Sequence, residues 1–203
     1  MGVEWGQLQL QTFSESVGSD YQLTMETSGL VLTQQTASPD AFEIKVQYDP
    51  FRIQQWSGGQ LLVEVNSQDT LFFESGTEQI DQSISMGFFI NAQNLYGIPA
   101  RAATFRLNYT NNETDPSQPS NPYRLWNQDM FNHPWGSTWP LYGAIPYILG
   151  QAASQTASIA WINSAETFVD LFPYVNSQTV GSGSHVSFTS EGGFMEIFVF
   201  GSN

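Results

Sequence analysis

The sequence predicts an all-β fold, two antiparallel sheets packed face to face as a sandwich. Three observations predict it: short apolar runs that alternate with period two, turn chemistry between those runs, and no convincing helical period in the first half of the chain. Gly6 to Phe13 sets Leu8 and Leu10 against Gln7, Gln9 and Gln11, the pattern of a half-buried strand. Leu30 to Leu32 follows. Phe42 to Val46 then puts Phe42, Ile44 and Val46 on one face and Glu43 and Lys45 on the other. Asp49-Pro50 interrupts the pattern, Phe51 to Trp56 resumes it, and Ser57-Gly58-Gly59-Gln60 supplies a hairpin turn into Leu61 to Val65. Runs at Leu71 to Phe73, Ser85 to Ile90 and Thr104 to Tyr109 continue the meander.

Thr110 to Asn121 has no apolar side chain and reads as a surface loop, because the strands beyond it hold too little material for a second core. After it come Ala144 to Leu149, Ala157 to Asn163, Thr167 to Leu171 and Phe194 to Phe200, the last with Phe194, Ile197, Val199 and Phe200 as core candidates. About a dozen short strands at this spacing imply two packed sheets. With 203 residues, the chain is read as one domain, residues 1 to 203, with one core on both sides of the polar loop.

Composition narrows the partners. Nineteen acidic residues stand against five basic ones, a formal net charge of -14, and Lys45 is the single lysine. A polyanion would be repelled, so neither nucleic acid nor an anionic membrane surface is expected. The bland reading of this acidity, solubility, outweighs any specific acidic function. Cysteine is absent, which excludes disulfides and thiolate metal sites. The opening MGVEWGQLQLQ has no basic segment before an apolar run, so no signal peptide is expected in this chain, and no stretch approaches a membrane span. Two sequons, Asn108-Tyr109-Thr110 and Asn112-Glu113-Thr114, make Asn108 and Asn112 glycosylation candidates if the chain enters the secretory pathway.

The chemistry-bearing residues are sparse. No local pattern singles out the carboxylate pair a glycosidase needs, and sequence alone leaves a spatially assembled pair open. Acyl transfer would require a base, and the histidines are His133 and His185 alone, without a G-x-S-x-G elbow. His185, beside Ser182, Gly183 and Ser184, reads as a solvated loop residue; His133 lies in an aromatic segment, where contact with a ligand and a structural role are both open. Neither a metal nor a cofactor is expected. Residues 122 to 142, PYRLWNQDMFNHPWGSTWPLY, stand out. Flat rings beside carboxylate, amide and guanidinium groups suit sugars, whose C–H faces stack while their hydroxyls need directional partners. A core-packing loop explains the same composition equally well.

Four segments in order, LYGIPARA at 95 to 102, PYRLWNQDMF at 122 to 131, LYGAIPYILG at 141 to 150 and ASIAWINSAETFVDL at 157 to 171, resemble the amino-terminal domain of glycoside hydrolase family 31. Within it the similarity is to the α-glucosidases of the endoplasmic-reticulum lumen. VQYDPFRIQQWSGGQLLVEVNSQDTLFFE at 46 to 74 and GGFMEIFVFGSN at 192 to 203 resemble further parts of that domain, so the similarity runs from about residue 40 onward. Ala100-Arg101, after Gly97-Ile98-Pro99, stands where many of those enzymes carry Glu-His.

The resemblance implies a galactose-mutarotase-like sandwich packed on a catalytic (β/α)8 barrel, in a retaining enzyme whose two catalytic Asp residues lie on the barrel. No WNDMNE-like segment occurs here, so this chain is expected to be inactive alone and to hold no catalytic residue. The loop matching residues 122 to 135 would help shape the sugar site. In that site, Asp129 would accept hydrogen bonds from a sugar hydroxyl, and Phe131 would wall the neighbouring ring, while Arg124 and Trp126 would brace the loop. The implied partners are the barrel and an α-glucoside or oligosaccharide, and the implied setting is the secretory pathway and N-glycan processing. Two other readings stay open: a stand-alone carbohydrate-binding module, and a structural scaffold.

Overall fold

The computed structural model describes residues 20–75, 82–110, 121–174 and 183–202. The strand candidate at Gly6 to Phe13 and the sequon residue Asn112 lie outside them. Among the described residues, ten strands make one antiparallel sheet and four make another. The large sheet runs β1 (Tyr21–Met25), β2 (Gly29–Gln34), β3 (Phe42–Gln47), β4 (Arg52–Ser57), β5 (Gln60–Val65), β7 (Gln82–Ile90), β13 (Gly183–Ser190), β12 (Thr167–Tyr174) and β9 (Tyr123–Leu125), with β6 (Phe72–Ser75) also paired to β7. The small sheet runs β14 (Glu196–Ser202), β11 (Thr156–Ile162), β10 (Tyr147–Gln151) and β8 (Asn94–Gly97).

The turn between β4 and β5 forms where Gly58-Gly59 predicts it. Both glycines have positive φ, 56° and 74°, the left-handed pair that a two-residue hairpin loop demands and that glycine adopts without a Cβ clash.

The core lies between the sheets. Val63, Val65, Phe88, Ile90, Val186 and Phe188 of the large sheet meet Ile148, Ile159 and Trp161 of the small one. Trp161 stacks on Phe188 with centroids 5.5 Å apart and meets the edge of Phe88 at 6.2 Å. Its indole N–H donates to Ser190 Oγ at 2.9 Å, so the one polar atom of this side chain is satisfied inside an apolar layer.

Several expectations need correction. Thr104 to Tyr109 is not a strand. The carbonyls of Thr104 and Phe105 accept from Arg101, and the backbone N–H and C=O of Asn108 both bond the Tyr123 hydroxyl, so side chains take the groups a ladder would use. Phe194 and Phe200 are exposed rather than core. Pairing with β11 turns Ile197 and Val199 inward, and period two then sends Phe198 and Phe200 to the opposite face. His185 is no loop residue: it lies in β13, 2 % exposed, with its ring stacked on Phe172 at 5.2 Å. Thr110, read as the start of a surface loop, is buried, donates to Asp170 Oδ1 at 2.8 Å and accepts from Leu171 N–H at 2.8 Å. Tyr123 to Leu125 form strand β9, so the 122–135 segment begins as an edge of the large sheet before it becomes a loop.

Candidate functional site

The connection from β9 of the large sheet to β10 of the small one has no regular structure, and it carries Trp126, Asp129 and Phe131 of the predicted site residues. β9 anchors its start through pairing of Tyr123, Arg124 and Leu125 with β12. From there the backbone is tied at a few points. Gln128 N–H donates to Leu141 O at 2.8 Å, which closes the loop on itself. Leu141 N–H reaches Ala100 O at 2.8 Å, Ala100 N–H reaches Gly143 O at 2.6 Å, and Gly136 N–H reaches Ala102 O at 2.7 Å, which fasten it to the segment after β8.

Asp129 and Phe131 both face outward. Phe131 is 86 % exposed, too open to be core packing. Trp135 at 79 %, Trp139 and Tyr142 of the same loop are exposed, as is Phe105 in the segment after β8. Of the two readings of this aromatic segment, burial of the rings in the core is therefore excluded for those side chains. The Asp129 carboxylate raises the Tyr142 phenol above its ordinary value, through hydrogen bonding first, then its negative charge, with slight desolvation last. His133 is exposed, with Nδ1 3.3 Å from Met130 O.

Arg124 and Trp126 sit at the root of the loop. The Arg124 guanidinium lies 5.3 Å from the Trp126 ring centre and 5.9 Å from that of Phe168, while its Nε donates to Glu166 Oε1. The Glu166 side chain is 8 % exposed, so the pair neutralises an almost buried carboxylate. The bond to Glu166 is the chief cause that raises the Arg124 pKa. Asn108 is exposed, whereas the Thr110 of its sequon is fixed inside.

Two residues near this loop were not named as site residues from sequence. Arg101 donates to four main-chain carbonyls and covers the Tyr123 ring, with 5.6 Å to its centre. Burial lowers its pKa from the ordinary value, and the nearby Tyr123 hydroxyl acts in the opposite sense. Tyr142 is the other. A signal existed for Arg101: only five residues are basic, and three of them, Arg101, Arg106 and Arg124, fall within 24 positions of one another.

A second apolar surface lies on the far side of the small sheet. Phe198 and Phe200 of β14 stack with centroids 6.5 Å apart, and Phe194 and Ile162 are exposed with them. An antiparallel sheet with one solvated face ordinarily alternates apolar with polar residues, and this one does not at its β14 edge.

Comparison with known proteins gives a consistent picture. Residues 9–170 match the glycosyl hydrolase 31 N-terminal galactose mutarotase-like domain, a match that starts well before residue 40. Glucosidase 2 subunit alpha of Schizosaccharomyces pombe is 25% identical over 217 residues, covering 92% of this chain and 23% of that protein. The Saccharomyces cerevisiae protein of the same name is 38% identical over 91 residues, 44% of this chain and 9% of its own length. Among solved structures, an ER glucosidase II complex of catalytic subunit and regulatory-subunit binding domain superposes with a TM-score of 0.75 at 23% identity, over 89% of this chain and 23% of that one; this likeness shows the fold. The chain thus spans less than a quarter of the length of these relatives.

Proposed function

Since the chain belongs to the galactose mutarotase-like amino-terminal domains of glycosyl hydrolase family 31, we propose that it is the accessory domain of a retaining α-glucosidase. In this reading, residues 1 to 203 form a single sandwich domain that packs on a catalytic (β/α)8 barrel, contributes the 122–135 loop to the sugar site and leaves the chemistry to carboxylates elsewhere. The observation that carries it is the exposure of Phe131 and Trp135 on a backbone tied at four points, with Asp129 exposed on the same loop. Rings held open to solvent cost solvation unless a ligand or partner covers them. A planar ring next to a fixed carboxylate is what a sugar face and its hydroxyls use.

The exposed Phe198 and Phe200 support packing against another domain, because a free binding module has no use for an apolar sheet face away from its ligand. The names of the relatives, glucosidase 2 and ER glucosidase II, support a glucoside as substrate and the endoplasmic reticulum as the setting; an α-linkage, the lumen and N-glycan processing enter this reading from the sequence resemblance. Exposed Asn108 then becomes a glycan acceptor.

The test is kinetic. In the assembled enzyme, Asp129→Ala weakens α-glucoside use by about tenfold to a hundredfold, the loss expected for one charge-assisted hydrogen bond, while the circular dichroism of the sandwich is unchanged. Unaltered kcat/KM overturns the loop assignment.

A further inference from the structure

Arg101 occupies an unusual position for a cation. Its guanidinium is half-buried, and the hydrogen bonds it makes go to neutral main-chain carbonyls: Nη1 to Gly97 O at 3.0 Å and Pro99 O at 3.3 Å, Nη2 to Thr104 O at 2.9 Å and Phe105 O at 2.8 Å. These four acceptors span both arms of a turn that leaves the small sheet at Gly97, the last residue of β8, and has no regular structure from Ile98 to Phe105. Between the first two lies Ile98 at φ 55°, a left-handed conformation in which a β-branched side chain crowds the backbone. Such a conformation persists only where its surroundings over-determine it, and Arg101 binds the carbonyl on each side of it.

The same turn carries the aromatic loop. Leu141 N–H bonds Ala100 O, Ala100 N–H bonds Gly143 O, and Gly136 N–H bonds Ala102 O, so these ties land on the two neighbours of Arg101. Gln128, next to Asp129, is fastened in turn to Leu141. Underneath, the Tyr123 ring supports the guanidinium, and its hydroxyl fixes Asn108 through 2.9 and 3.0 Å bonds.

We propose that Arg101 is a positioning residue for the sugar-facing loop: it locks the turn at 97–105, and that turn sets Asp129 and Phe131 through the backbone of Ala100 and Ala102. The inference rests on the reading of that loop as part of the sugar site. Arginine is required because its planar fork reaches four acceptors at once, whereas a lysine ammonium has three donors on one atom and cannot span both arms.

Hydrogen exchange on this chain tests the linkage. In Arg101→Met, the amides of Gln128, Gly136 and Leu141 exchange at least about tenfold faster, while core amides such as Val186 and Ile159 keep their protection. Arg101→Lys does not restore the loop, and it serves as the probe should the Met variant fail to fold. Loop amides that stay protected overturn the inference, as does acceleration of loop and core by the same factor, which assigns Arg101 to stability alone. In the assembled enzyme, Arg101→Met raises KM for an α-glucoside more than it lowers kcat. If Asp129→Ala raises KM and Arg101→Met does not, the positioning role falls and the loop reading stands. If neither does while the loop amides are released, the sugar reading falls and the linkage to the loop stands.

Discussion

Trp161 of the small sheet lies flat on Phe188 of the large one, their planes within 7° of parallel and their centroids 5.5 Å apart. The two rings close the middle of the sandwich, and the indole N–H is anchored on Ser190, which itself pairs with Thr167 at 2.6 Å.

Trp161→Ala therefore opens a cavity between the sheets and leaves Ser190 without its donor, with an expected loss of roughly 3–5 kcal/mol. Trp161→Phe keeps most of the volume and loses less. Urea unfolding of both variants measures this, and a stability within 1 kcal/mol of the parent for Trp161→Ala, well below the roughly 3 kcal/mol floor of that range, contradicts the packing.

His185 makes stability depend on pH. Burial lowers its pKa from 6.5 to about 4, so between those values the unfolded chain binds more protons than the folded one. Stability thus rises with pH across that window and falls as the solution is acidified through it, by a total of about 3 kcal/mol from this one group. His185→Phe retains a ring against Phe172 and removes the titration. Denaturation curves between pH 4 and 6.5 should be flatter for the variant, and parallel profiles would refute the assignment.

Tyr142 reports on Asp129. Replacing the carboxylate in Asp129→Asn weakens the acceptor and removes its charge, so the phenol titrates at lower pH, nearer its ordinary value. Ultraviolet difference titration of the tyrosines shows the shift, with Tyr142→Phe identifying the transition. An unchanged titration means that the two side chains do not meet in solution.

Arg124→Ala strands the Glu166 carboxylate, almost wholly buried, without its cation. The expected cost is about 1–3 kcal/mol, the penalty of an unsatisfied buried acceptor, and the double variant with Glu166→Gln recovers part of it. No recovery in that double-mutant cycle would mean that the pair is decoration rather than a brace for the root of the loop.

Much of the sandwich was legible. β3, β4 and β5 follow from alternation and from Gly58-Gly59, and Trp161 is as buried as its place in an apolar strand implied. β13 was missed because Ser, Gly and His resemble a turn, although Val186 and Phe188 alternate with His185 and Ser187 in the strand's own period. The Phe194 to Phe200 core set mixed two parities, and only the pairing register with β11 says which parity faces Trp161 and its neighbours. In the candidate site, Asp129 and Phe131 were named from resemblance, and their exposure was not readable from it.

The sequence by itself determined the all-β class, the central hairpins and the family, because alternation, turn glycines and motif order are local and linear properties. Only the tertiary structure decided which rings are core and which are surface, that His185 is buried, and that the side chains of Arg101 and Tyr123 hold the backbone of Thr104, Phe105 and Asn108 in place of a strand ladder. The physical reason is the same in each case. Burial and hydrogen-bond satisfaction depend on which distant backbone arrives to cover a group: Phe172 over His185, β11 against β14, the carbonyls of 97 to 105 around one guanidinium.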